Sequence, residues 1–226
     1  MITPLEATKY FTEHQDWKTA GDDTQYLIEC DKDRNVILVF QGSNSDVDWK
    51  NNFKFWKKPY KDMEIPFRVH SGFLHCWKAC EDQIMDELGA CDPSSITIIG
   101  HSYGSAMSVL AAEHVFFHYV IEREKYTDES KPSLRGKINT ICFGCPRVIG
   151  FLNFKKVKER WEGIRLFNNG SDIVCAVPPF FFLYRHVTEQ IHIGKLRHWW
   201  DFFRPDKWHD IKGDYGYKHY IELISK

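Results

Sequence analysis

An apolar run, Ile96-Thr97-Ile98-Ile99, leads directly into Gly100-His101-Ser102-Tyr103-Gly104, and a small-then-apolar face of Ser105, Ala106, Val109, Leu110 and Ala112 follows at helical spacing. A short apolar strand, a tight turn and a helix packed back onto the strand are the repeating unit of a parallel sheet. The two glycines have a steric role, because a side chain at either one would crowd the turn or hold the helix off the strand. Gly-x-Ser-x-Gly in this setting is a strained turn that lifts a serine hydroxyl to the end of the sheet. Ser102 is therefore a candidate nucleophile.

The rest of the chain continues the alternation. Residues 24–30 and 35–40 read as a hairpin joined through Asp31-Lys32-Asp33-Arg34. Residues 74–89 form an amphipathic pattern ended by Gly89 and closed by Asp92-Pro93. After the strand at 96–99 come a helix from 103 to about 122, a polar loop to Lys137, a strand over 138–143, a basic amphipathic helix over 151–161 and a strand over 163–168. This order predicts an α/β fold with a mostly parallel central sheet flanked by helices and a site at the carboxyl ends of its strands. The 226 residues fit one domain, 1–226.

Composition removes several function classes. Lys and Arg total 30 against 31 Asp and Glu, so global charge gives no reason to expect a nucleic-acid partner. The cationic run Lys155-Lys156-Val157-Lys158-Glu159-Arg160 reads as a solvated helix face. No apolar stretch reaches the roughly 20 residues of a membrane span. Met1-Ile2-Thr3-Pro4-Leu5-Glu6 is not a basic region followed by an apolar one, and the seven cysteines are scattered, several of them in apolar strands. The expectation is a reduced, cytoplasmic protein without a disulfide framework. His70, His75, Cys76 and Cys80 lack the paired spacing of a metal site, so neither a metal nor an organic cofactor is expected.

A serine needs a base to take its proton and a third group to orient that base. Asp172 follows the strand Leu166-Phe167-Asn168 through a glycine turn, which brings its carboxylate out at the same sheet edge. Five histidines come later: His186, His192, His198, His209 and His219. His219 lies in Gly213-Asp214-Tyr215-Gly216-Tyr217-Lys218-His219, a glycine-flanked loop able to swing an imidazole into place, and His192 competes with it. Oxyanion donors are expected from the Tyr103 amide and from Ser43, which follows the strand Val36–Phe40 through Gln41-Gly42.

Together these segments resemble the class 3 lipase family of α/β hydrolases. Phe40-Gln41-Gly42-Ser43 is similar to the family's oxyanion loop, and Asp48-Trp49-Lys50-Asn51-Asn52-Phe53 to the start of its lid. Val69-His70-Ser71-Gly72-Phe73, Gly100-His101-Ser102-Tyr103-Gly104, Phe143-Gly144-Cys145-Pro146-Arg147-Val148 and Asp172-Ile173-Val174 follow in the family's order. A His-x-Gly such as His192-Ile193-Gly194 is not the base in this family, whose catalytic histidine lies nearer the C-terminus. The resemblance thus implies a triad of Ser102, Asp172 and His219 in an α/β-hydrolase fold with a short lid. Gln41 stands where the family usually has arginine, and Tyr103 where it often has leucine, a change expected to narrow the entrance or alter acyl selectivity.

The function implied is hydrolysis of lipid esters, acylglycerols or phospholipids, through an acyl-enzyme. The alternatives are an esterase on small soluble esters and a non-catalytic, lipase-like interaction protein. Two aromatic segments with interleaved cations, Phe53–Lys61 and Phe180–Arg185 continued by Lys195–Arg204, suit peripheral contact with a membrane or lipid-droplet surface. Trp49, Phe53, Phe55 and Trp56 are the lid candidates.

Overall fold

The computed structural model describes residues 2–14, 16–21, 23–42, 56–60, 67–126, 130–150, 158–194 and 205–225. Helix α1 (Pro4–Glu13) starts on a capping box, in which the Thr3 side chain accepts from the Glu6 amide and the Glu6 carboxylate accepts from the Thr3 amide. Strands β1 (Lys18–Ala20), β2 (Thr24–Cys30) and β3 (Asn35–Phe40) pair antiparallel, the last two as the expected hairpin. Two short strands, β4 (Lys57–Tyr60) and β5 (Phe67–His70), precede helix α2 (Ser71–Ala90). Buried His70 caps α2, its Nδ1 accepting from the amides of Gly72 and Phe73. Burial pushes that imidazole down to about 4, so the ring is neutral and keeps the lone pair the cap requires.

Strand β6 (Ser95–His101) runs into α3 (Tyr103–Phe116), which continues through a π-helical stretch, Phe117–Glu122, into the short α4 (Arg123–Tyr126). Strands β7 (Ile138–Phe143), β8 (Ile149–Gly150), β9 (Ile164–Asn169), β10 (Tyr184–Arg185) and β11 (Gln190–Ile193) follow, and then helices α5 (Pro205–His209) and α6 (Tyr217–Ile224). The main sheet has seven strands in the order β1-β2-β3-β6-β7-β9-β11, parallel from β3 onward. The expected mostly parallel sheet with flanking helices is the architecture found.

Register aligns the carboxyl ends of the parallel strands: Phe40 lies beside Gly100, His101 beside Phe143 and Asn169 beside Ile193. One apolar cluster fills the side covered by α2 and α3, around Trp77, Leu110 and Ile98. The other fills the side covered by α1 and α6, around Phe143, Trp208 and Ile221. Truncating a fully buried aromatic such as Trp77 costs about 3–5 kcal/mol in a core of this kind. Among the described residues, no helix is long and apolar enough to cross a membrane.

The structure departs from the sequence reading in its sheets and at residues 158–161. A second, antiparallel sheet of four short strands, β10-β8-β5-β4, was not foreseen. Of the expected helix at 151–161, residues 158–161 are described, and they form a 3-10 turn. Arg160, read as part of a solvated face, is buried there and ion-paired to Glu113 of α3, because the turn tucks its guanidinium beneath the helix.

Candidate active site

Ser102 sits between β6 and α3 at φ 58°, ψ −126°, a conformation that L-residues rarely adopt and that aims its side chain off the end of the sheet. The turn closes only because Gly104 lacks a side chain, since a Cβ there would stand 2.2 Å from the Phe40 carbonyl oxygen. The Ser102 amide donates to the Phe143 carbonyl at 2.9 Å, which ties the turn to β7.

Asp172 emerges after β9 through Gly170-Ser171, as the sequence suggested, and its side chain is fully buried. Its Oδ1 accepts from the Val174 amide at 2.9 Å and its Oδ2 from the Tyr217 hydroxyl at 2.6 Å. Both carboxylate oxygens face His209 Nδ1, at 3.0 and 2.9 Å. Burial alone would raise the Asp172 carboxyl, but the hydrogen bonds from His209, Tyr217 and Val174 together outweigh it and hold the group below its ordinary value. Asp172 is thus ionised at neutral pH. On the other side of the ring, His209 Nε2 lies 2.7 Å from Ser102 Oγ.

The histidine between Ser102 and Asp172 is therefore His209, and the expectation of His219 is corrected. The stretch taken as a loop around His219 is already helical from Tyr217. Tyr217 points its hydroxyl at Asp172, and a residue two positions further is turned by about 200° around the helix. His219 consequently stands away from the serine, its ring edge-on to Tyr220. The competitor, His192, is exposed on the edge strand β11. His186 contacts the Cys175 carbonyl.

His209 ends α5 and is seated by its neighbours. Trp208 is completely buried against Gly170 and Gly194, and Gly144, at φ 62°, leaves the space for the ring. A Cβ on Gly144 would stand 2.8 Å from His209 Cε1 and 2.9 Å from Asp172 Oδ2. His101 stacks on His209 with ring centroids 4.8 Å apart, and its Nε2 lies 2.7 Å from the His209 carbonyl oxygen. Enclosure, reinforced by the adjacent His209, pushes His101 down to about 3. The neutral ring donates to that carbonyl and adds no positive charge beside His209.

Tyr103 is the first residue of α3, so its amide is among those with no partner inside the helix. Its side chain is fixed by the Thr24 hydroxyl at 3.1 Å and lies with its ring 6.1 Å from that of Phe73. Gly42 passes against Ser102, with a Cβ there 3.3 Å from Ser102 Cβ. Ser43, Trp49, Phe53 and Phe55 lie outside the described residues. Trp56 is exposed, and its carbonyl accepts from the Ser71 amide and the Tyr184 hydroxyl.

His209, Tyr217 and the supporting part of His101 escaped the sequence reading. Trp208 beside His209 was the signal available for the first, since a large buried aromatic fixes its neighbour more firmly than glycines do.

The profile of the Lipase (class 3) family matches residues 37–182. Phospholipase A1-IIgamma of Arabidopsis thaliana is 24% identical over 169 residues, covering 65% of this chain and 39% of the relative. A lipase of Rhizomucor miehei is 26% identical over 184 residues, covering 78% of this chain and 47% of the relative. The chain spans roughly two fifths to a half of the length of these two curated relatives. The solved structure of the Rhizomucor miehei lipase propeptide complex superposes with a TM-score of 0.63 at 23% identity, over 79% of this chain and 56% of that one, which is a likeness of fold.

Proposed function

The chain belongs to the class 3 lipase family, and from that premise we propose that it is a serine carboxylester hydrolase acting on lipid esters, acylglycerols or phospholipids. The observation that carries this reading is the line Asp172–His209–Ser102, with 2.9 Å and 2.7 Å between successive groups. His209 Nε2 accepts the Ser102 proton as Oγ attacks the ester carbonyl carbon, and ionised Asp172 stabilises the imidazolium that forms. The negative charge on the carbonyl oxygen is assigned to the Tyr103 amide and to Ser43, the latter supported by the passage of Gly42 against the nucleophile. Collapse of the intermediate expels the alcohol, which takes its proton from His209. Water then attacks the acyl-enzyme with the same imidazole as base, releasing the fatty acid and restoring the serine hydroxyl.

Relatives named as a phospholipase A1 and a lipase support both polar and neutral lipid esters as substrates. The segment with Trp49, Phe53, Phe55 and Trp56 is proposed as the cover that meets the lipid phase. A fluorophosphonate probe tests the nucleophile: the wild type should label and Ser102→Ala should not. Equal labelling of both, or none of the wild type, overturns the assignment. Hydrolysis of p-nitrophenyl esters of increasing chain length, each titrated through its solubility limit, tests the substrate class. A rate jump on aggregation supports lipid esters, whereas smooth saturation on short soluble esters replaces that reading with an esterase.

A further inference from the structure

The loop that begins at Asp172 ends in a knuckle of four consecutive apolar side chains, each at least two fifths exposed. Phe180, Phe181, Phe182 and Leu183 are 73%, 65%, 42% and 59% exposed. Full burial of such side chains is worth about 1.5–3 kcal/mol each, and the partial burial here, with Phe180, Phe181 and Phe182 packed ring to ring, gains only part of it. The backbone sharpens the point. Leu183 adopts φ 62°, ψ 37°, a left-handed conformation natural to glycine and unfavourable for a leucine. A strained residue with an exposed side chain is not explained by packing.

The knuckle is firmly mounted. Phe182 and Leu183 amides donate to the Pro179 and Phe180 carbonyls at 3.0 and 2.8 Å. The Arg147 guanidinium donates to the Pro178 carbonyl at 2.8 Å and to that of Ala176. Tyr184, next in sequence, is buried, donates its hydroxyl to the Trp56 carbonyl at 3.2 Å and receives Lys57 over its ring at 5.0 Å. The exposed indole of Trp56 and the exposed knuckle are thereby joined at their bases. Ile173, beside the triad carboxylate, is also exposed, at 56%. Residues 173–188 contain no Asp or Glu, while Lys57 lies over the Tyr184 ring at the base of the apolar tip and Arg185 follows it in the chain.

We propose that Phe180–Leu183 is a fixed wedge that inserts into an anionic lipid surface and docks the protein there. The inference rests on the proposed lipid-ester activity and specifies how the site reaches an aggregated substrate. Apolar side chains at the tip with cations at their bases fit a lipid surface, the rings at headgroup depth and the ammonium groups near phosphates. A second copy of the chain fits less well. Four side chains on a short turn offer far less than the roughly 1,200–2,000 Å² of a stable interface, and a two-fold contact would bring the cationic flanks together.

The test is flotation with vesicles of ether-linked phosphatidylcholine, with and without ether-linked phosphatidylglycerol, because ether lipids cannot be hydrolysed during the assay. The wild type should bind, more strongly with phosphatidylglycerol, and Phe180→Ser/Phe181→Ser should lower the partition coefficient about tenfold or more. Leu183→Gly should weaken binding while its melting temperature stays level or rises, since glycine relieves the left-handed strain. A wild type that stays off both vesicles, or variants that bind as the wild type does, overturns the wedge. So does sedimentation velocity showing a dimer that the variants abolish. Hydrolysis of a soluble short-chain ester, followed in parallel, is the separate readout of the catalytic proposal: its loss in the wild type sinks that proposal while flotation still reports on docking.

Discussion

Glu113 and Asp172 are both buried carboxylates, and helix α3 links their neighbourhoods, since Ser102 precedes it and Glu113 lies about three turns along it. Glu113 is held by Arg160 and by the Trp161 indole at 3.2 Å. Asp172 is held by His209, Tyr217 and one backbone amide. Burial pushes Glu113 up against the pull of Arg160 and Trp161, whereas the donors around Asp172 win and hold it down. The partners also differ in kind. Arginine keeps its charge at every working pH, so Glu113–Arg160 is a permanent fastening of the turn at 158–161 to the helix. Histidine can accept a proton and hand it on, so Asp172 faces a partner whose charge can change during a reaction. His209 is 21% exposed, open enough to reach a substrate, while the carboxylate behind it is sealed.

The contrast breaks most sharply at the histidine. His209→Ala should lower kcat by about three to six orders of magnitude with little change in folding, because a lone serine hydroxyl has no base. His219→Ala should retain near-normal turnover. Steady-state kinetics of both variants decides the matter, and the reverse pattern would return the role to His219. Asp172→Asn should cost on the order of 10⁴ in kcat, with the His209 tautomer no longer fixed.

The counterpart on the structural side is a loss of stability with chemistry spared. Glu113→Met leaves Arg160 and the Trp161 indole buried without their acceptor, and denaturant unfolding should show a loss of about 3–5 kcal/mol. Replacing the pair together, Glu113→Met with Arg160→Leu, should recover most of that loss, as apolar groups can fill the same space. If Glu113→Met were instead as stable as the wild type but inactive, the division between fastening and catalysis would fail.

Stability against pH sharpens the comparison further, because the two carboxylates contribute with opposite signs. Asp172, lowered in the folded state, gives stability that is present above its unfolded value of about 4 and is lost as pH falls through its folded value. Glu113, raised in the folded state, gives stability that is present below its unfolded value of about 4.3 and is lost as pH rises through its folded one. Urea midpoints measured across the acid range should therefore fall less steeply below about pH 4 in Asp172→Asn, with the other lowered carboxylates, such as Glu81 and Glu87, supplying what remains. In Glu113→Gln they should lose the decline above it. Matching slopes in both variants would contradict the opposed environments.

What could be read in the sequence follows the same line between local and tertiary causes. Ser102 and Asp172 are announced by their own surroundings, an apolar strand and a glycine turn, and the parallel register brings both to one edge. His209 has no such punctuation: it is placed by Trp208 packing against Gly170 and Gly194, residues from two other strand ends. The Gly213–His219 stretch carries stronger turn signals, but Tyr217 is the residue of that stretch that reaches Asp172. The small sheet was illegible for another reason. Strands such as Ile149–Gly150 and Tyr184–Arg185 are too short to show a two-residue period, and their pairing is fixed by the chain around them.

The finest probe of the carboxylate contrast is Tyr217. Its buried hydroxyl donates to Asp172 Oδ2 at 2.6 Å and accepts from the Asn169 amide at 3.2 Å, and burial raises its own ionisation far above neutrality. It therefore remains a donor throughout the working range and withdraws charge from the carboxylate that orients His209. Tyr217→Phe keeps the ring that packs on Phe143 and His101 and deletes that one donor. Asp172 should titrate higher in the variant, and kcat should fall about tenfold, the scale of one hydrogen bond to a charged group. A merely structural tyrosine would change the melting temperature and leave the pH-rate profile in place. A role through Asp172 changes the carboxylate available to hold the imidazolium, and so shifts the acidic limb of that profile, which pre-steady-state acylation measured against pH would resolve.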